Sequence, residues 1–253
     1  MGFDREKFDE IKAAFTLDDD ALRKIVSDFR ADMCAGLAGE KNAMLRMLRS
    51  YAGLPSGKEH GSFLALDFGG TNVRALRILL KGSGEYDVLS KVAKPLTLPG
   101  VYDYVSADAT AEEMFDFLAS IIDEAIEGNR ETKYLLGHTF SFPSQQTDLN
   151  NAKLIVWTKE FATQGVEGKV VNDLLKEALA RCGMTNVEPV AVINDTVAVL
   201  LAAAYKHEHT YIGSIYATGQ NTCYYEEFAD GSEPATVINM ESGGFGNLPF
   251  SKY

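Results

Sequence analysis

Apolar residues recur three and four positions apart through the first fifty residues. Phe8, Ile11 and Phe15 form one stripe, and Leu22, Ile25, Val26, Phe29 and Met33 form a second, with Asp18-Asp19-Asp20 between them as capping carboxylates; both predict helices. Met44, Leu45, Met47 and Leu48 predict a third, short helical segment over 43–51, closed by Gly53, Pro55 and Gly57. The period then changes. Phe63-Leu64-Ala65-Leu66-Asp67 is an apolar run ending in an acid, Gly69-Gly70 turns, and strands follow over 72–80 and 86–92, with Lys81-Gly82-Ser83-Gly84 between them. This is a three-stranded meander with glycine at the bends.

A helix is predicted over 111–126, with Met114, Phe115, Leu118, Ile121 and Ile122 on one face. A strand over 134–142, a polar loop over 143–152, a short strand over 154–157 and a helix over 170–180 come next. The buried strand 189–193 enters a helix over 196–205 through Asn194-Asp195. Strand 211–216 then turns through Ala217-Thr218-Gly219-Gln220-Asn221 and leaves along 223–228, repeating the earlier hairpin. Two such hairpins predict internal duplication of a βββαβα unit.

At 253 residues the chain corresponds to about 1.7 domains of ordinary size. Its 46% hydrophobic and 24% charged residues fit a folded core and exclude collagenous or low-complexity structure. With 24 Lys and Arg against 36 Asp and Glu, the net charge of −12 disfavours nucleic acid and anionic membrane surfaces as partners. The apolar run 197–205 is far shorter than the roughly 18 residues of a membrane span. The start, Met1-Gly2-Phe3-Asp4-Arg5-Glu6, lacks the basic and apolar regions of a signal peptide, so a cytoplasmic location is expected. Cys34, Cys182 and Cys223 are too scattered for a disulfide framework and read as small buried apolar residues. His207 and His209 flank Glu208 without further metal ligands nearby and read as a solvated turn.

Common phosphate loops are absent. Gly57-Lys58 is followed by Glu59 and lacks the upstream glycine of a P-loop, and neither Gly82-Ser83-Gly84 nor Gly244-Phe245-Gly246 completes a dinucleotide fingerprint. Three segments carry chemistry. In Asp67-Phe68-Gly69-Gly70-Thr71-Asn72-Val73-Arg74, turn amides could hold phosphate while Asp67 faces Mg²⁺ through water; alternatively, Asp67 caps the turn amides of a plain hairpin. In the stretch from Leu136 to Phe161, Ser141 and Thr158 could serve turns, and Lys159 could be a surface residue. In Asn194-Asp195-Thr196, a carboxylate stands at a strand end and a helix start, either as a cap or as a general base.

Taken in order, Leu66 to Arg74, Leu136 to Phe161, Asn194-Asp195-Thr196, Thr218-Gly219-Gln220-Asn221 with Cys223-Tyr224, and Ile238-Asn239-Met240-Glu241 resemble the motifs of eukaryotic-type hexokinases. The resemblance runs from about Leu45 to Phe250. It implies an α/β, actin-like ATPase (ribonuclease H-like) fold with a βββαβα small domain and a truncated large domain. In that scheme 1–60 is a helical segment packing with the large domain, 61–195 the small domain, and 196–253 the incomplete beginning of the large domain. It further implies transfer of a phosphoryl group from Mg-ATP to the 6-hydroxyl of glucose or a similar hexose. Asp195 would be the base, and Lys159 would lie near the sugar and the transferring group. Ser141, Thr158, Asn194, Asn221 and Glu241 would bind sugar hydroxyls. Asp67, Gly69, Gly70, Thr71, Asn72 and Arg74 would hold phosphate and Mg²⁺, and Thr218 would touch the nucleotide phosphates.

Some positions depart from the family pattern: His138 follows Gly137 where an aromatic is usual, Ala217 precedes Thr218 where a glycine is usual, and Ser242 follows Glu241 where a Trp is usual. Ala217 adds a Cβ beside a phosphate cradle. The family continues for nearly as long again after the position of Tyr253, with a further sugar-binding Glu and the adenosine pocket. The expected partners are therefore a hexose, ATP and a second chain supplying the missing half. A non-catalytic hexose-binding module is the alternative.

Overall fold

The computed structural model describes residues 4–217, 219–228, 231 and 234–249. Helices α1 (Arg5–Ala14) and α2 (Asp19–Leu37) precede strand β1 (Leu48–Arg49). Strands β2 (His60–Phe68), β3 (Asn72–Gly82) and β4 (Glu85–Pro95) follow, then the short pair β5 (Thr97–Leu98) and β6 (Tyr102–Asp103), helix α3 (Ala111–Ala125) and β7 (Tyr134–Phe140). A second short pair, β8 (Ser144–Gln145) and β9 (Lys153–Leu154), leads to α4 (Val171–Arg181), β10 (Val187–Ile193) and α5 (Asp195–Lys206). Strands β11 (Ile212–Tyr216), β12 (Gln220–Glu226) and β13 (Thr236–Asn239) and a short 3-10 turn (Ser242–Gly244) complete it.

The first sheet has the order β10-β7-β2-β3-β4. Strands β2, β3 and β4 form the antiparallel meander, and β7 and β10 join parallel through α3 and α4. Parallel neighbours need such helical crossovers. Strand β7 alternates strictly, turning Tyr134, Leu136, His138 and Phe140 inward. Tyr134, Leu136 and Phe140 meet Met114, Phe115, Leu118, Ile121 and Ile122 of α3 and Leu175 and Leu179 of α4 in one core. Helix α3 starts at a complete capping box, in which Thr110 and Glu113 satisfy each other's backbone N–H groups.

The second sheet has the order β1-β13-β12-β11. Its two faces follow the period of two along β13: Val237 packs with Val197 and Leu200 of α5, and Ile238 packs with Leu45, Met47 and, more peripherally, Phe29 and Met33 of α2. Strands β11, β12 and β13 are antiparallel neighbours in chain order, so this sheet starts as the first one does. The first opening hairpin has a three-residue connection, 69–71. No helix among the described residues is long and apolar enough to cross a membrane.

Two expectations are corrected. The segment 43–51 is not helical: it bends at 44–45, has left-handed backbone at Met47 and Tyr51, and holds only the two-residue strand Leu48–Arg49, which pairs with β13, while Ala43, Leu45 and Met47 are buried at alternate positions. Asp32 accepts from the N–H groups of Met44 and Leu45, and the Met240 carbonyl accepts from Arg46 and Met47, so this backbone is satisfied from outside the segment. Cys34 and Cys182 are exposed at helix C-terminal ends, and only Cys223 is buried.

Candidate functional site

Asp67 and Arg74 face each other across the β2–β3 hairpin and form an ion pair at 2.8 Å. Thr139, on the neighbouring β7, donates to the other oxygen of Asp67 at 2.8 Å. Among the described residues, Arg74 and Thr139 are the hydrogen-bond partners of this carboxylate, which caps no turn amide. The turn is tied by Gly69 N–H to the Asn72 carbonyl, by Leu96 N–H to the Thr71 carbonyl, and by the Asn72 amide to the Thr71 hydroxyl.

The end of β7 carries Ser141 and Phe142, both buried. Phe68, Phe140, Phe142, Trp157 and Phe161 pack ring against ring behind them. This aromatic wall fixes the loop bearing Lys159, where Lys159 and Glu160 both adopt left-handed backbone conformations. The Lys159 ammonium donates to the Ser141 carbonyl at 2.9 Å and lies 5.2 Å from the centre of the Phe142 ring. Its stem crosses Gly70: a Cβ there would stand 3.2 Å from Lys159 Cδ. The glycine turn and Lys159, distant in sequence, are thus neighbours. Gly70→Ala is expected to displace the Lys159 side chain, seen as an altered Lys159 ammonium environment by NMR with the thermal midpoint little changed.

Asn194 caps α5, its side chain accepting from Thr196 N–H at 2.8 Å, and Asp195 accepts from the same N–H at 2.9 Å. Asn194 provides the cap, so the Asp195 carboxylate is not needed as one. Next to it, the Asn221 amide donates to Asn239 at 2.8 Å and to Asn194 at 3.5 Å, and the Asn239 amide donates to Glu241 at 2.8 Å. Asn221 in turn accepts from the N–H groups of Thr222 and Ser242. Glu241 has a left-handed backbone, φ 53°. Asn194, Asn239, Glu241, Phe142 and Gln146 line one cavity between the sheets.

Asn194, Asp195, Asn221 and Glu241 are therefore brought together, as are Ser141, Lys159 and the turn containing Gly70. Thr158 is exposed and contributes its carbonyl to Phe161 N–H. Thr218 lies outside the described residues. Asn239, Thr139 and Gln146 were not expected as site residues. Asn239 sits inside a recognised motif, and Thr139 lies two residues before Ser141 on the same strand, but their roles depend on contacts between distant segments.

Burial shapes two titrating groups beside the site. His138 is fully enclosed, and burial drives its ring down to about 4, against smaller opposing effects of Asn172 and Asp67. Among the described residues neither ring nitrogen has a hydrogen-bond partner. Burial, helped by the Asp195 charge, pushes the Cys223 thiol up to about 11.

No group of three His, Cys, Asp or Glu side chains among the described residues could enclose a metal ion. One oriented, partly exposed carboxylate, Asp67, suits an ion carried chiefly by phosphate oxygens and water.

Residues 7–205 match the family model described as Hexokinase. Hexokinase-1 of Schizosaccharomyces pombe is 34% identical over 266 residues, covering 98% of this chain and 53% of that protein. Hexokinase-2 of Rattus norvegicus is 36% identical over 252 residues, 96% of this chain and 27% of its own length. A solved structure described as a crystal structure of hexokinase superposes with a TM-score of 0.86 at 36% identity, over 98% of this chain and 59% of the other. Hexokinase from Schistosoma mansoni complexed with glucose gives 0.75 at 35% identity, over 92% and 53%. The chain thus spans about half, or less, of the length of the relatives it matches. The fold is the expected actin-like ATPase type. The chain belongs to the hexokinase family.

Proposed function

We propose that this chain carries the hexose-binding and phosphate-facing part of an ATP:hexose 6-phosphotransferase. The observation that carries the reading is the Asn194, Asn221, Asn239 and Glu241 network beside Asp195 at the start of α5. Such a set of amides and carboxylates pairs with the many hydroxyls of a hexose, and a sugar lacking one would leave a buried group unpaired, at roughly 1–3 kcal/mol. In this reading Ser141 and Thr158 add further sugar contacts from the β7 side.

Asp195 takes the proton of the sugar 6-hydroxyl as that oxygen attacks the γ-phosphorus of ATP and the bond to ADP breaks. Hexose 6-phosphate and ADP are the products. Lys159 supplies positive charge beside the transferring group. The turn 69–72 faces the phosphates, with Arg74 holding Asp67 in orientation, and Thr218 meets the nucleotide from the second hairpin. Asp67 would be the protein-side carboxylate for a Mg²⁺ ion carried by ATP, and that ion would supply neutralisation of phosphate charge. Phosphoryl transfer needs positioning and charge neutralisation more than covalent help from the protein.

The proposed division is a lead-in over 1–60, a small domain over 61–195, and the beginning of a large domain over 196–253. Turnover in this scheme needs the rest of the large domain, in the same polypeptide or a second one. The outer edge of β11 has no strand partner among the described residues, whereas the matching edge of β2 is covered by β7. Ile212 and Tyr216 on β11 are 67% and 88% exposed. These features also favour a second reading, in which this chain alone is a hexose-binding module.

Coupled ADP release with Mg-ATP, run with and without D-glucose, tests the proposal. Glucose-dependent release, or glucose binding with turnover appearing only when the rest of the fold is supplied, is expected. ATP hydrolysis indifferent to hexose would instead point to an ATPase without a sugar substrate.

A further inference from the structure

Asn239 is 5% exposed and joins two of the residues assigned above to sugar hydroxyls. Its carbonyl oxygen accepts from Asn221 Nδ2, and its own Nδ2 donates to Glu241 Oε1, both at 2.8 Å. Its backbone is fixed from two sides, paired with Leu48 of β1 and Cys223 of β12. Glu241, two residues on, has left the strand and has no ladder to orient it.

The chemistry of the network leaves it one direction. An ionised Glu241 carboxylate can only accept, so Asn239 must turn its NH₂ toward it and its oxygen toward Asn221. At the far end, Asn221 accepts from two backbone N–H groups, at 2.7 and 3.2 Å, which turns its NH₂ back toward Asn239. Both ends agree, and the side chain between them fixes which atoms stay free for a ligand. We infer that Asn239 is a positioning residue that sets the hydroxyl selectivity of the site by holding Asn221 and Glu241 in complementary orientations. The inference rests on the hexose-site reading.

Asn239→Asp keeps the shape but removes the donor and sets two carboxylates against each other. Glu241 and Arg49 are the charged side chains lining the adjoining cavity. D-glucose binding, followed by Trp157 fluorescence, is expected to weaken at least about tenfold at about pH 8 and to recover toward wild type near pH 5.5, where a proton on the introduced carboxyl restores a donor. Asn239→Ala should bind weakly at both pH values. Near-wild-type binding by Asn239→Asp at the higher pH would overturn the inference, as would equal losses in both variants with no recovery on acidification.

If the wild-type chain binds no glucose, the hexose reading fails by itself, and positioning is read from the Asn221 side-chain amide by NMR. Dispersed, slowly exchanging signals in wild type that collapse in Asn239→Ala are then expected, and signals unchanged in that variant would overturn the inference.

Discussion

Replacing Asp195 with Ala is expected to lower hexose phosphorylation at least about a hundredfold, in any preparation of the chain that turns over, while leaving sugar affinity largely intact. The loss falls on the chemical step because Asn194 caps α5 by itself, and the one further contact of Asp195 among the described residues is a long bond of 3.5 Å from the Thr196 hydroxyl. Asn194 accepts from Thr196 N–H at 2.8 Å and caps α5 without it. The Asp195 oxygen that meets the same N–H is thereby oriented at a helix start, where the helix dipole favours a negative charge. Coupled ADP release gives the turnover, and a parallel sugar titration gives the affinity. Turnover unchanged in this variant would remove Asp195 as the base.

The second large effect is on stability. Between pH 6.5 and 5 the folded state is expected to lose about 2 kcal/mol because of His138 alone, approaching about 3 kcal/mol near pH 4. The sign follows from the direction of the shift. Burial lowers the folded-state value from 6.5 to about 4, so on acidification the unfolded chain takes up a proton that the folded chain refuses. The contribution is fully present above 6.5 and disappears as the pH falls toward 4. Glu59, Asp103 and Glu113 also titrate low in the folded state, but from ordinary carboxylate values. Their effects enter below those values, so the window above pH 5 isolates the histidine. Urea unfolding at several pH values should give a steep dependence in wild type and a nearly flat one in His138→Phe. Equal slopes in the two proteins would contradict the buried, neutral imidazole.

Local periodicity carried much of the fold. The glycine-bounded meander, the face of α3 with Met114, Phe115 and Leu118, and the entry from β10 into α5 all follow from spacing along the chain. The segment 43–51 did not, because Met44, Leu45, Met47 and Leu48 suit either period. The choice was made by Asp32, Met240 and β13, which supply its hydrogen bonds from elsewhere. Cys34 and Cys182 show the same limit, since a small apolar residue at a helix end can face either way.

The site divides similarly. Asp195, Lys159, Asn221 and Glu241 stand in motifs that can be recognised in one dimension. The approach of Lys159 to Gly70 and the bridging amide of Asn239 exist only after chain segments meet. Their chemistry lies in contact with other side chains, which spacing does not encode.

The proposed hexose site is formed by the residues around Asn194, Asn221, Asn239 and Glu241. Calorimetric titration of the chain with D-glucose tests it most directly. Saturable binding of one sugar per chain, strongly weakened by Glu241→Ala, is the predicted result. No heat of binding up to sugar concentrations of about 10 mM, which would nearly saturate a site of millimolar affinity, about 4 kcal/mol, would contradict it.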